Sequence, residues 1–162
     1  MSRRLLVRRL ATTTPSFVQR AREAKQSSVL LGPFLSSGTF DRCLEAARMD
    51  ITSIGPEGVQ CELNVTNDIA NNFGTLHGGA TATLVDVVGT LALLGRDPTR
   101  PGVSTEMNQS FTAAAKVGSR IACVGTVLKY GKSLGFTQVE IRCAADPSRV
   151  FAVGRHTKYL AV

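Results

Sequence analysis

The chain has 162 residues, of which 43% are hydrophobic and 19% charged, and its formal net charge is +7. This length fits one globular domain that can bury a core without disulfides or metal ions. No uninterrupted apolar run reaches the roughly 20 residues of a membrane helix, so no stable membrane insertion is expected. Four scattered cysteines without paired spacing argue against a zinc site or a disulfide framework and favour reduced core thiols in an intracellular protein.

The positive charge is concentrated at the N-terminus. Residues 1–25 hold seven basic side chains against one acidic one, so residues 26–162 carry a net charge of only +1. Arginines interleaved with leucine and threonine, with few acids, are typical of a mitochondrial transit peptide. We expect residues 1–38 to form an arm, a transit peptide plus linker, on a mitochondrial matrix protein; a basic tail on a cytoplasmic protein is the alternative. No nucleic acid is expected as a partner, because the body of the chain is nearly neutral.

Along the rest of the chain, the spacing of apolar residues changes between the period of a helix and that of a strand. Short helices are predicted over residues 15–25 and 39–47. Alternating apolar and polar residues over 49–54 and 59–65 flank a Gly-Pro-Glu-Gly turn and predict a hairpin. One long helix is predicted from residue 77 to about residue 95. Four strands are predicted after it, over residues 103–111, 119–130, 134–144 and 150–159.

Two strands, one long helix and four strands form an α+β pattern. The long helix has no clean polar face, so another element must cover most of its surface. An antiparallel sheet wrapped around the helix would do so, and no second domain is visible in the pattern.

A polar loop with a glycine leads into the long helix, since residues 71–79 read Asn-Asn-Phe-Gly-Thr-Leu-His-Gly-Gly. Unpaired N–H groups at a helix start lie at the positive end of the helix dipole and can stabilise a developing oxyanion. The same helix carries one carboxylate, Asp86, which is costly to bury unless it is hydrogen-bonded or functional. Together the two features predict acyl-transfer chemistry.

Four sequence blocks, in this order, resemble the hotdog-fold acyl-CoA thioesterases of the phenylacetate-pathway (PaaI-type) branch. The likeness begins at about residue 39, and its blocks are residues 74–79 (GTLHGG), 81–86 (TATLVD), 101–104 (PGVS) and 154–158 (GRHTK). The resemblance implies a hotdog domain over residues 39–162, in which a curved antiparallel sheet wraps one helix. It also implies subunits that pair into homodimers and usually into homotetramers.

The resemblance implies a role for each motif residue. Asp86 would be the general base or nucleophile, and the Gly78 N–H would bind the carbonyl oxygen. Asn71 and His77 would position or polarise the water and the thioester, and Ser104 would support Asp86 or the water. No metal or redox cofactor is implied. Structural roles stay open: a helix cap for His77, a turn residue for Asn71 and a structural carboxylate for Asp86.

The end of the last predicted strand is cationic. Coenzyme A carries phosphates, so Arg155, His156 and Lys158 are candidate substrate-binding residues, together with Gly79 at the helix start. The alternative is a solvated strand edge, where such charges discourage edge pairing.

The spacing of Gly78 and Asp86 argues for a dimer. On one helix the two residues lie about 12 Å apart along the axis. Atoms that act on one carbonyl must come within about 3 Å of it. Two antiparallel copies can bring the helix start of one to the middle of the other, so the sequence predicts an obligate symmetric dimer with two composite sites.

We therefore expect an acyl-CoA thioesterase that hydrolyses a fatty acyl-CoA of medium or long chain to the free acid and CoA. An aryl (phenylacetyl-type) acyl-CoA thioesterase and a non-catalytic acyl-CoA binding protein of the same fold are the alternatives. Hotdog hydratases place their acid and base at other positions, so the motif spacing argues against them.

Overall fold

The computed structural model describes residues 40–161. The predicted arm over residues 1–38, with its transit peptide and the helix over residues 15–25, lies outside the described residues, as does the first residue of the helix predicted over 39–47. The described elements, in chain order, are α1 (Arg42–Ala46), β1 (Asp50–Gly55), β2 (Gly58–Asn64), a 3-10 helix (Asn67–Ile69), α2 (Gly78–Arg96), β3 (Val103–Phe111), β4 (Arg120–Tyr130), β5 (Leu134–Cys143) and β6 (Val150–Tyr159).

The predicted order of strands and long helix is confirmed, with bounds that differ by at most one residue. The helix predicted over residues 39–47 is shorter, since only five residues of α1 are helical. The 3-10 helix was not predicted, because three residues are too few for a periodic pattern.

The six strands form one antiparallel sheet in the order β1-β2-β4-β5-β6-β3. Helix α2 contacts all six strands, so the sheet wraps around it as the composition of the helix predicts. Thirteen of the nineteen residues of α2 are buried. The helix is long and apolar enough to cross a membrane by length and composition, but 72% of that apolar window is buried inside the domain.

Close packing between α2 and β6 depends on two glycines. A Cβ at Gly89 of α2 would lie 2.8 Å from the His156 Nδ1 and 2.8 Å from the Thr137 Oγ1. A Cβ at Gly154 of β6 would lie 2.6 Å from a methyl group of Val85. Both distances are shorter than carbon contacts allow, so only glycine lets the helix and the strand approach this closely. That approach brings the middle of α2 to the inner face of β6.

Strand β3 lies at one edge of the sheet and pairs only with β6 among the described strands. Eight of its nine residues are exposed. They include large apolar side chains, Val103, Met107 and Phe111, which are 52%, 40% and 60% exposed.

Candidate active site

Asp86 lies in the middle of α2, next to β3 and β6, and about half of its side chain is exposed. Its Oδ1 accepts a hydrogen bond from the Ser104 Oγ at 3.2 Å and lies 3.3 Å from the His156 Nε2. The Ser104 Oγ and the His156 Nε2 are 2.9 Å apart, so the three side chains form a closed triangle. The structure thus brings together Asp86 and Ser104, which the motif pairs, and adds His156.

His156 is fully buried, and its Nδ1 has no hydrogen-bond partner among the described residues. A proton on Nδ1 would therefore be an unpaired buried donor, so the neutral ring with its proton on Nε2 is favoured. Burial lowers the pKa of His156, and the charge of Lys158 lowers it further, whereas Asp86 acts in the opposite direction. Hydrogen bonds then run from the His156 Nε2–H to the Ser104 Oγ, and from the Ser104 hydroxyl to the Asp86 carboxylate.

The three cationic candidates of β6 lie on two faces of the sheet. Because side chains alternate along a strand, Arg155 is exposed on the outer face, whereas His156 and Lys158 face α2 and are buried. The Lys158 Nζ donates a hydrogen bond to the Thr90 Oγ1 at 2.8 Å. Binding of CoA phosphates by these residues stays a prediction. The side chains of His156 and Lys158 instead contact Asp86 itself or residues next to it on α2 and β3.

His77 caps the start of α2. Its Nδ1 accepts a hydrogen bond from the Gly79 N–H at 2.8 Å, which is the helix-cap role that the sequence leaves open. Because an accepting Nδ1 carries no proton, the neutral ring carries its proton on the exposed Nε2. The Gly78 N–H makes no hydrogen bond in the described part of the chain, so it is a free donor at the positive end of the helix.

Asn71 organises the loop before α2. Its Oδ1 accepts hydrogen bonds from the backbone N–H groups of Phe73 at 2.9 Å and Thr75 at 3.2 Å. Its Nδ2 lies 2.9 Å from the Thr75 Oγ1. The side chain therefore acts as a turn residue within this chain, and a direct role on a thioester stays a prediction.

An open cavity of about 290 Å³ lies between α1, the 3-10 helix and the first turns of α2. Phe40, Ile69, Ala70 and Ala80 give it apolar walls, and His77 lies on its rim. The sequence did not predict this cavity, because its walls come from three separate elements. The sequence also did not indicate the roles of Thr90 and Gly89, because a threonine or a glycine on an apolar helix usually serves packing alone.

Comparisons with known proteins give matches in both sequence and fold. A family model described as the thioesterase superfamily matches residues 73–149. Over 121 residues the chain is 44% identical to acyl-coenzyme A thioesterase 13 of Homo sapiens and 42% identical to that of Mus musculus, covering 75% of this chain and 84% of each relative.

Solved structures agree as well. The structure of zebra fish thioesterase superfamily member 2 matches with a TM-score of 0.79 and 37% identity, over 86% of this chain and 98% of that one. The Escherichia coli PaaI protein of the phenylacetic acid degradation operon matches with a TM-score of 0.70 and 19% identity, over 88% of this chain and 96% of that one. The second match supports the fold alone.

Proposed function

The chain belongs to the thioesterase superfamily and has its hotdog fold, and from this premise we propose that it hydrolyses fatty acyl-CoA of medium or long chain to the free acid and CoA. The observation that carries the proposal is the half-exposed Asp86 carboxylate. One of its oxygens, Oδ1, is held by Ser104 and His156. The other, Oδ2, makes no hydrogen bond within the described residues and is free to act on a substrate.

The proposed reaction uses Asp86 as general base or as nucleophile. As a base, it accepts a proton from a water molecule while the water oxygen bonds to the thioester carbon. The C–S bond then breaks, and the proton passes to the leaving CoA thiolate. As a nucleophile, Asp86 would first form an anhydride that water hydrolyses. In both routes the carbonyl oxygen becomes negative and needs a hydrogen-bond donor.

We propose that a second subunit supplies that donor. Gly78 and Asp86 lie on one continuous helix, so eight residues keep them about 12 Å apart. The free Gly78 N–H of the partner subunit would complete the site in a symmetric dimer. The exposed edge of β3, with its three exposed apolar side chains, supports pairing of two β3 strands into a continuous sheet. Association of two such dimers into a homotetramer is part of the proposal.

The cavity beside α2 supports an aliphatic acyl group. It adjoins His77 at the helix start, and its walls are mainly apolar. Apolar walls favour a hydrocarbon chain through burial of its surface, at roughly 0.8 kcal/mol for each buried methylene. A phenylacetyl group would fill less of such a cavity, and a panel of substrates separates the two classes.

The test is release of free CoA thiol from short, medium, long and aryl acyl-CoAs by the full chain and by Asp86→Asn. Asparagine keeps the shape of the side chain and removes its basicity. We expect kcat to fall at least about 10³-fold with KM nearly unchanged, because the carboxylate acts in the transition state. Asp50→Asn, an exposed aspartate on β1, is the matched control.

Two results would contradict the proposal. If the wild type binds acyl-CoA but hydrolyses none, the protein is a binder of the same fold. If Asp86→Asn keeps the wild-type rate, another group is the base. After a single turnover in ¹⁸O-water, label in the Asp86 carboxylate would show the nucleophilic route, in which water attacks the aspartyl carbon of the anhydride.

We also propose that residues 1–25 direct the protein to the mitochondrial matrix, on the basis of their charge and composition. Fusion of these residues to a fluorescent protein should send it to mitochondria, and replacement of their arginines by glutamine should abolish import. A cytoplasmic signal from the unmodified fusion would support the alternative of a basic tail.

A further inference from the structure

Lys158 is a buried cation behind the candidate catalytic carboxylate. It lies on the inner face of β6 and is 6% exposed. Its backbone neighbours are Ser104 on β3 and Gly135 on β5, so it occupies the strand next to the one that carries Ser104. A buried ammonium is unfavourable unless it is hydrogen-bonded or near an opposite charge. Its location therefore requires an explanation.

One hydroxyl group connects Lys158 to the peptide of Asp86. The Lys158 Nζ donates to the Thr90 Oγ1 at 2.8 Å, and the same hydroxyl donates to the Asp86 carbonyl oxygen at 2.8 Å. Thr90 has a single hydroxyl proton, so the two contacts use its donor and an acceptor lone pair together. Thr90 lies one helical turn after Asp86, and the ammonium thus anchors the turn that carries the carboxylate.

The charges around the site favour the same role. Burial lowers the pKa of Lys158, and the charge of Asp86 opposes this shift, so the two charges stabilise each other. Asp41, just before α1, has its pKa raised first by burial and then by Asp86. The remaining titratable groups near the triangle are the neutral His156 and Glu106, which acts on His156. Lys158 is therefore a buried cation whose charge interacts with Asp86.

We propose that Lys158 is a positioning residue for the reaction: its ammonium holds the helical turn that carries Asp86 through the hydroxyl of Thr90. This role rests on the proposed function of Asp86. It differs from binding of a CoA phosphate, because the ammonium is buried and its hydrogen bond is made inside the domain.

The test compares Lys158→Met, Thr90→Val and a control, Lys129→Met, which removes an exposed lysine of β4. For each full-length variant, kcat and KM are measured over a pH series. For Lys158→Met we expect kcat to fall by about tenfold or more with KM within about threefold, since the lost interactions are with a charged group.

Thr90→Val keeps the shape of the side chain and the ammonium but breaks the connection. It should lower kcat in the same direction by a smaller factor, with KM nearly unchanged. If Lys158→Met does not fold, as judged by circular dichroism and thermal unfolding, the Thr90→Val kinetics decide, and an unchanged kcat overturns the proposal.

Two other results also overturn it. A raised KM and weakened inhibition by CoA, with kcat and the pH profile unchanged, would show that Lys158 binds a phosphate. Unchanged kcat and KM would show that it has no part in the reaction. If the wild type itself hydrolyses no acyl-CoA, the proposed function fails, and this role of Lys158 fails with it; an active wild type with an equally active Lys158→Met removes this inference alone.

Discussion

The start and the middle of α2 carry two halves of the candidate site by different physical means. At the start, exposed residues around His77 and Gly78 leave a backbone N–H free, and this end is shaped by the local cap of His77 together with backbone hydrogen bonds to Ile69 and Ala115. In the middle, Asp86 is held by side chains from β3 and β6, which lie 18 to 70 residues further along the chain. A backbone donor follows from helix geometry alone, whereas a positioned carboxylate depends on how the sheet packs.

The start and the middle of α2 should therefore differ in how well they tolerate substitution. A Cβ at Gly78 would make only ordinary contact with the Phe111 ring, at 3.7 Å, so the start should tolerate substitutions that keep the helix intact. The middle is packed at its limit, since Gly89 leaves no room beside His156. Small changes in packing there should alter both stability and rate.

Among the substitutions that test this difference, the largest effect is expected for Gly89→Ala. The added Cβ would lie 2.8 Å from the His156 Nδ1 and 2.8 Å from the Thr137 Oγ1, so either the ring or the strand must move. We expect a loss of about 1–3 kcal/mol in the free energy of unfolding, as for other overpacked cores. We also expect kcat to fall at least about tenfold, because the moved ring no longer supports Ser104.

Urea unfolding and steady-state kinetics measure the two effects. Gly55→Ala is the matched control, since a Cβ at Gly55 meets nothing within 4 Å. A stable and fully active Gly89→Ala would show that the middle of the helix is not packed as tightly as the comparison requires.

The next prediction sets Ser104→Ala against His77→Ala. Ser104 is exposed and its hydroxyl contacts Asp86 and His156, so its loss should lower kcat about tenfold with little change in stability. His77→Ala removes a cap and should cost about 1 kcal/mol of stability, with a smaller loss of kcat.

His77→Asn sharpens this test, because asparagine is also a good N-cap and should restore the stability. Thermal unfolding and kcat are measured for all three variants. A His77→Asn protein that is stable but as slow as a strong active-site variant would show that the imidazole itself acts on the thioester, as the family motif implies.

The features at the start of α2 could be predicted from the sequence, whereas most of those around its middle could not. The loop, the cap residue and the lone Asp86 are local features, so their positions on α2 could be read from spacing and composition. The faces of His156 and Lys158 depend on the register of β6 against α2, and two buried glycines set that register. A cationic strand end has the same sequence pattern whether its side chains point to solvent or toward the carboxylate of Asp86. From the pattern alone, binding of CoA phosphates is therefore the natural prediction.

The smallest effect concerns the pH dependence of stability at the middle of the helix. His156 has a pKa below its ordinary value of about 6.5, first because of burial, so the unfolded chain binds a proton more readily than the folded one. Stability is full above pH 6.5 and falls as the pH drops below it, until the folded ring is protonated too. One such group contributes at most about 1.4 kcal/mol for each pH unit.

The free energy of unfolding of the wild type should therefore decrease between pH 7.5 and pH 5.5, and His156→Asn should show a shallower decrease even if it is less stable at both values. His77→Asn removes the only other histidine of the chain and is the matched control. Equal slopes in the wild type and His156→Asn would mean that His156 takes up its proton as easily when folded as when unfolded. Burial would then not disfavour the charged form of the ring, and the contrast between the two parts of α2 would lose its main support.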